Sequence, residues 1–340
     1  MTTTSPTPAQ LRAAVALATR APSVHNTQPW RFRLLDDGID VYADRGRQLA
    51  VSDPTGRALR VSCGAAVFNL RLALAQLGRV AEVWLMPRPG TPDLLAHVTA
   101  GRERPATPEE SGLHEAIERR HSNRQPFLDT DVPLDVRAQL MAAARAENAW
   151  LDLILGRPAL AMVTELVRAA DDILLADPAY RAELAAWTRP DRTQPDGVPR
   201  EAGGPAPEPR DLLARRDFGG PPRPPGRDFE ADPLVGVLGG LADSPADDLI
   251  AGQALQRVLL TATRLGLATS LMSQPIEVPQ VREQLRIGLR RPWPPQLLLR
   301  FGYAVPGRPT PRRPVTDVLV TDGEPDEPFA HAQRDRALAG

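Results

Sequence analysis

Apolar residues recur at helical spacing in several parts of the chain. Within 8–20, the positions of Leu11, Ala14, Val15 and Ala18 follow the i, i+3, i+4, i+7 pattern of one buried helix face. This pattern predicts a helix at the start of the chain. Comparable patterns predict further helices over 57–77, 112–121, 133–146, 159–186 and 248–265.

Alternating or continuous apolar runs mark the expected strands. The turn signal Asp36-Asp37-Gly38 separates the first two runs and predicts a hairpin. Helices and strands occur throughout the chain, so we expect an α+β fold. The predicted strands are 31–35, 39–42, 80–86, 94–99, 150–155 and 296–303.

Two of the predicted helices carry matching residues at a constant separation. Gly64 and Gly78 are 14 residues apart, as are Gly252 and Gly266, and the offset between the pairs is 188. Two apolar helices of similar length can match by chance, so an internal duplication and coincidence both remain open. A duplicated chain would mimic a dimer within one polypeptide. The same offset pairs Ala66 with Ala254, Leu72 with Leu260 and Leu77 with Leu265.

The segment 188–233 interrupts this order. It holds eleven prolines and six glycines, with too few apolar residues for a core of its own. Disorder is one interpretation. A lid is the other, because the segment lies within the second half of the chain, and long irregular insertions inside a domain are often functional. Residues 321–340 are predicted to form a flexible tail.

Composition excludes several classes of protein. The 41 basic and 42 acidic side chains give a net charge of −1, so neither nucleic acid nor an anionic membrane is an expected partner. The single cysteine, Cys63, excludes a disulfide framework and is expected in the core. No stretch reaches the ~18 uninterrupted apolar residues of a membrane span. We expect a cytoplasmic protein.

Familiar catalytic motifs are missing from the sequence. It has no Gly-x-Gly-x-x-Gly, no Walker phosphate loop and no Gly-x-Ser-x-Gly elbow. His114, Glu118 and His121 would share a helix face, but an exposed polar face explains them better than a metal site. We therefore predict no metal and assign no catalytic side chain.

Two polar clusters remain as candidates for ligand binding. Arg120, Ser122 and Arg124 follow a predicted helix that Pro126 prevents from continuing. The two guanidinium groups and the serine hydroxyl suit a phosphate, although a solvated helix end is the simpler alternative. The second cluster, 21–30, combines three hydrogen-bonding side chains with two prolines, and a packed turn is its simpler alternative. Its polar residues are Ser23, Asn26 and Gln28.

Both clusters resemble motifs of the nitroreductase superfamily. Residues 120–127 resemble Arg-Arg-Ser-x-Arg-x-Phe, with His121 in the second Arg position, and 21–30 closely resemble Ala-Pro-Ser-x-x-Asn-x-Gln-Pro-Trp. Residues 265–270 resemble the loop that follows the core dimer helix, and 300–304 resemble a late strand. The combination, over about 9–320, resembles the Acg family. In such proteins a basic residue further along the chain reaches the phosphate of the flavin cofactor. The candidates here are Arg308, Arg312 and Arg313.

The resemblance implies a nitroreductase-like fold that binds FMN. Hydride or electron transfer through the flavin would reduce a small conjugated acceptor such as a nitroaromatic or quinone, with NAD(P)H as the usual donor. Two alternatives stay open: a protein that stores or sequesters FMN under a lid, and a biosynthetic flavoenzyme with its own dedicated substrate. The implied cofactor-binding residues are Pro22, Ser23, Asn26, Gln28, Arg120, His121, Ser122, Arg124, Ser270 and Arg312.

The order of the two motifs departs from that of ordinary nitroreductases, where the arginine motif comes first and the flavin lies at a dimer interface. Here the Pro-Ser-Asn motif lies in a first half, 9–105, and the arginine motif in a second half, 106–320. No Pro-Ser pair occurs in 133–150. Each half thus keeps one motif, so we expect one FMN per chain, bound between the halves, in a monomer or homodimer.

Overall fold

The computed structural model describes residues 5–320, so the predicted tail lies outside the described residues. The first part of the chain contains α1 (Pro8–Ala18), β1 (Trp30–Leu34), β2 (Gly38–Ala43), α2 (Arg57–Gln76), β3 (Arg79–Leu85) and β4 (Leu94–Glu103), and the second part begins with α3 (Pro108–Arg119). The second part contains α4 (Leu134–Arg145), β5 (Trp150–Ile154), α5 (Arg157–Ala176), α6 (Pro178–Ala186), β6 (Thr188–Arg189), β7 (Val198–Pro199), β8 (Leu234–Gly239), α7 (Pro245–Arg264), β9 (Ala268–Met272), α8 (Gln274–Glu277), α9 (Pro279–Gly288), β10 (Pro295–Gly302) and α10 (Val315–Val318).

The larger strands form two antiparallel four-stranded sheets. Their orders are β1-β2-β4-β3 and β5-β8-β10-β9. Counted along each part of the chain, both orders read first, second, fourth, third, and a long helix follows the second strand in each. The mixed α+β architecture is therefore confirmed, while duplication of the sequence itself stays a prediction.

Helices α2 and α7 pack directly against each other between the two sheets. A Cβ added at Gly64 would lie 2.2 Å from the carbonyl oxygen of Leu249, and one at Gly252 would lie 2.1 Å from that of Val61. The contact is reciprocal, since each glycine admits the backbone of the other helix. In the same interface Gln256 Nε2 donates to Asn69 Oδ1 at 2.8 Å, which joins two buried amide side chains across the contact.

Each sheet packs its apolar face on the helical layer. One core lies between the first sheet, α1 and α2, where Phe32, Val41 and Leu70 are fully buried. A second lies between the second sheet, α4 and α7. Burial on nearly every side accounts for the composition of α2, which by length and apolar content alone could cross a membrane.

The structure corrects several predicted elements. The helix expected over 159–186 is two helices, because Asp177 caps a new helix that begins with Pro178. Residues 265–270, expected as a loop, include the start of strand β9. Strand β8 was missed because glycines weaken its pattern. A Cβ at Gly239 would lie only 2.1 Å from the Trp150 ring, so packing explains that glycine.

We expect the substitution Gly252→Ala to destabilise the protein by roughly 1–3 kcal/mol, because the added methyl group meets a backbone carbonyl and must separate the helices. This range is the net change that remains after the ~1 kcal/mol that alanine gains in helix propensity. Thermal and urea unfolding measure the change. The control is Gly90→Ala, where a Cβ would meet no described atom within 4 Å. Equal stability of the two variants would contradict the close packing.

Candidate functional site

A large cavity lies between the two parts of the chain. Its atom-free space, which includes open solvent, is about 960 Å³. The loop before β1 and the start of α2 supply one wall, and β9, the arginine motif and the 188–233 segment supply the others. The predicted residues that line it are Pro22, Ser23, Ser122, Arg124 and Ser270.

The loop before β1 reaches the cavity through an unusual backbone path. A short 3-10 turn, Val24–Asn26, contains His25 and Asn26 at φ 51° and 56°, and Gln28 follows at φ 52°. Left-handed conformations of this kind cost energy in residues other than glycine. The hydroxyl of Ser23 accepts a hydrogen bond from the Gln28 backbone N–H at 2.9 Å, which closes the loop.

Asn26 and Gln28 do not line the cavity. The Asn26 amide donates to the carbonyl oxygens of Gly197 at 3.0 Å and Pro311 at 3.1 Å. Nε2 of Gln28 donates to the Pro195 carbonyl at 2.8 Å, and its Oε1 accepts from the Arg313 backbone N–H. Both side chains therefore hold the 188–233 segment and residues 311–313 against the loop.

The arginine motif begins where α3 ends, at Arg119. The next residues run beside β9: the Asn123 backbone N–H donates to the Thr269 carbonyl at 2.7 Å, and Ser122 forms a parallel bridge with Thr269. This pairing places Ser122 and Ser270 on the same cavity wall. His121 lies elsewhere, with its Nδ1 2.9 Å from the Arg119 carbonyl oxygen, and does not line the cavity.

Arg124 is half-buried in the cavity wall. Its Nη1 donates to the Ala202 carbonyl at 3.1 Å, and its guanidinium lies 5.1 Å from the centre of the Phe218 ring. Burial, with a smaller contribution from Arg216, lowers the pKa of Arg124 to about 10. Among the described residues, no carboxylate lies within ion-pair distance of this cation. The cavity wall therefore carries an uncompensated positive charge.

Arg120 and Arg312 form a second positive cluster, behind the loop that carries Pro22. Each donates to the Arg20 carbonyl, at 3.2 and 3.3 Å respectively. Nε and Nη1 of Arg120 and Nε of Arg312 are buried without a hydrogen-bond partner. Burial, with repulsion from Arg120 and Arg20, lowers the pKa of Arg312 to about 9. Burial, with repulsion from Arg124, lowers the pKa of Arg120 to about 10. Such unpaired buried donors are costly and suit an anion.

The three basic candidates near the end of the described chain are now distinguished. Arg308 is exposed and pairs with Glu201 at 2.6 Å. Arg313 pairs with Asp44 at 3.4 Å. Arg312 alone among the three has no carboxylate partner in the part of the chain that the structure describes, and it lies beside Arg120.

Sequence reasoning missed much of the cavity wall, and among the missed residues are His25, Arg57, Arg216 and Phe218. The last two belong to the 188–233 segment, which is packed over the cavity. Arg216 pairs with Glu277, and its Nε donates to the Tyr180 hydroxyl at 2.9 Å. The proline content of the segment obscured these residues, whereas His25 stood within the first motif at one of its variable positions.

Comparison with known proteins assigns the chain to a family. Two relatives from Mycobacterium tuberculosis H37Rv are named "Putative NAD(P)H nitroreductase acg" and "Putative NAD(P)H nitroreductase Rv3131". The first is 32% identical over 91% of this chain and 95% of its own length, and the second is 33% identical over 94% and 93%. This chain therefore belongs to the Acg family of nitroreductase-like proteins, which confirms the resemblance of its motifs. No protein-family model matches.

Solved structures give weaker likenesses. A nitroreductase with bound FMN from Desulfitobacterium hafniense has a TM-score of 0.40 and 15% identity, covering 62% of this chain and 97% of that one. An FMN- and NADPH-dependent nitroreductase, NfnB, from a Sphigopyxis strain has a TM-score of 0.39 and 18% identity, covering 62% and 99%. The family assignment rests on the sequence relatives and not on these structures.

Proposed function

We propose that this protein is an FMN-dependent oxidoreductase that passes electrons from NAD(P)H to a small conjugated acceptor. One observation carries the proposal: three buried guanidinium nitrogens without a hydrogen-bond partner, Nε and Nη1 of Arg120 and Nε of Arg312, lie beside a loop that also lines the large cavity. A phosphate at the cluster and a planar ring in the cavity would satisfy both features with one ligand. The names of the relatives in the family support the same class of reaction.

The residues present fit FMN. Arg120 and Arg312 would bind its phosphate, and Ser23, Ser122 and Ser270 offer hydroxyl groups to its polar atoms. Arg124 would face the ring and stabilise negative charge there. When bound, FMN supplies two-electron transfer, which no side chain of this site can supply. The contribution of the chain is to orient the two reactants and to exclude water.

We also propose that the two halves arose by duplication and that they share one flavin site. The matching strand orders support this, as does the reciprocal contact of Gly64 and Gly252. Gln28 and Asn148, each two residues before the first strand of its half, have φ values of 52° and 53°. In the second half, however, α4 runs to Arg145 and leaves no room for a long polar loop. A site completed within one chain needs no second copy.

Substitution of the phosphate cluster tests the placement. We expect Arg120→Met and Arg312→Met each to weaken FMN binding about tenfold to a hundredfold, because a buried charge-assisted bond contributes about 1.5–3 kcal/mol. Riboflavin lacks the phosphate, so its affinity should stay within about threefold of the wild-type value. Fluorescence titration of each ligand measures both affinities.

The matched control is Arg308→Met, which removes an exposed arginine of the same segment and should change neither affinity. Equal losses of FMN and riboflavin affinity in the Arg120 and Arg312 variants would show that these arginines serve another purpose.

A second candidate function is storage of FMN beneath a lid formed by the 188–233 segment. The observation that favours it is the close contact of this segment with the site. Phe218 is only 4% exposed, and Gly204 runs so near the arginine motif that a Cβ there would lie 2.4 Å from the Arg124 carbonyl oxygen. A lid held this tightly would hinder the approach of NAD(P)H.

Stopped-flow reduction separates the two functions. If the segment blocks access, mixing the FMN-loaded protein with excess NADH or NADPH should bleach the flavin slowly. The flavin bound to the Phe218→Ala variant should then be bleached about tenfold faster. The control Phe229→Ala removes another ring of the same segment that does not line the large cavity. Fast bleaching of the unaltered protein would contradict storage, and no bleaching in any variant would favour a dedicated substrate.

A further inference from the structure

His25 is a buried side chain without a hydrogen-bond partner in the wall of the large cavity. It is 3% exposed, and neither Nδ1 nor Nε2 has a partner. An unsatisfied buried polar group costs about 1–3 kcal/mol, so such groups are rare unless they have a function. The open side of the imidazole is the cavity, which makes a bound ligand the available partner.

The backbone at His25 adds a second cost. Its φ of 51° lies in the left-handed region, where a residue other than glycine is strained. Its neighbour Asn26 has a similar φ but is anchored by side-chain hydrogen bonds to Gly197 and Pro311. Anchoring of the loop by Asn26 therefore fixes the direction of the His25 side chain toward the cavity.

The surroundings of His25 keep the imidazole neutral. Burial lowers its pKa well below the usual value, and the cations Arg216 and Arg124 lower it further. A neutral imidazole has one N–H donor and one acceptor nitrogen. The Phe218 ring packs edge-on against it, with the ring centres 5.9 Å apart and the planes at 88°.

The charges of the cavity wall select the kind of ligand. Of the described residues that line it, none is Asp or Glu, and four are arginines. Two of these are compensated from outside the cavity, Arg215 by Asp211 and Arg216 by Glu277. The other two, Arg57 and Arg124, have no carboxylate within ion-pair distance in the described chain, and Arg57 instead donates to Gln296 Oε1 at 3.1 Å. A ligand with negative oxygens fits this wall.

We propose that His25 is a substrate-binding residue whose N–H donates to an oxygen of a planar aromatic ligand bearing a carboxylate or nitro group. Both groups are flat and carry two oxygens with full or partial negative charge. The apolar side chains of Val61, Leu255 and Leu297 supply the surface for the aromatic ring. This assignment rests on the proposed function, because it places the ligand in the same cavity as the flavin.

Binding of benzoate to the FMN-loaded protein tests the proposal without turnover. We expect benzoate to bind and benzylamine, its cationic counterpart, not to bind at the same concentration. The substitution His25→Phe keeps an aromatic ring but removes the donor, and should weaken benzoate binding about tenfold. His25→Asn keeps a donor and tolerates the left-handed backbone, so benzoate affinity should stay within about threefold of the wild-type value. Calorimetry and the flavin absorbance change measure the affinities.

The outcomes separate this inference from the proposed function. Failure of the unaltered protein to bind FMN would refute the proposed function. If FMN binds normally, equal benzoate affinity in the unaltered protein and His25→Phe would overturn the role of His25, and so would the absence of benzoate binding. Loss of FMN affinity in His25→Phe, at an unchanged melting temperature, would assign the side chain to the flavin instead and also overturn the proposal.

Discussion

The contact of α2 with α7 is the constraint on which the rest of the structure depends. Gly64 and Gly252 allow the two helix backbones to approach so closely that one added methyl group would collide with the opposite helix. Each helix packs against one four-stranded sheet. Because the two sheets are fixed through this contact, the loop before β1 and the strand after α7 face the same cavity. The geometry of the site is thus a consequence of this helix packing.

Charge is the second organising feature. In the cavity wall, Arg215 and Arg216 pair with carboxylates. Arg57, Arg120, Arg124 and Arg312 have no carboxylate within ion-pair distance among the described residues, and desolvation lowers the pKa of each. Folding must pay for these desolvated cations, and an anionic cofactor would offset the cost. The same reasoning makes bound FMN a source of stability as well as of chemistry.

Much of the fold follows from periodicity, and the two motifs located part of the cavity wall. The long helices and the β1–β2 hairpin were predicted close to their observed bounds because their apolar patterns are strong. Strand β8 was not predicted, because its glycines Gly236 and Gly239 leave room for the Phe301 and Trp150 rings of other strands. Asn26 and Gln28 were predicted to bind the cofactor. Their side-chain amides donate to the carbonyls of Gly197 and Pro195, contacts with a segment distant in sequence that no local pattern reveals.

The central claim is one flavin site per chain, completed by both halves. Titration of FMN against apoprotein of known concentration, followed by native mass spectrometry of the complex, tests it most directly. A mass corresponding to one FMN per chain is the predicted result. Two FMN molecules per chain would contradict the account, because the second half would then have a complete site of its own.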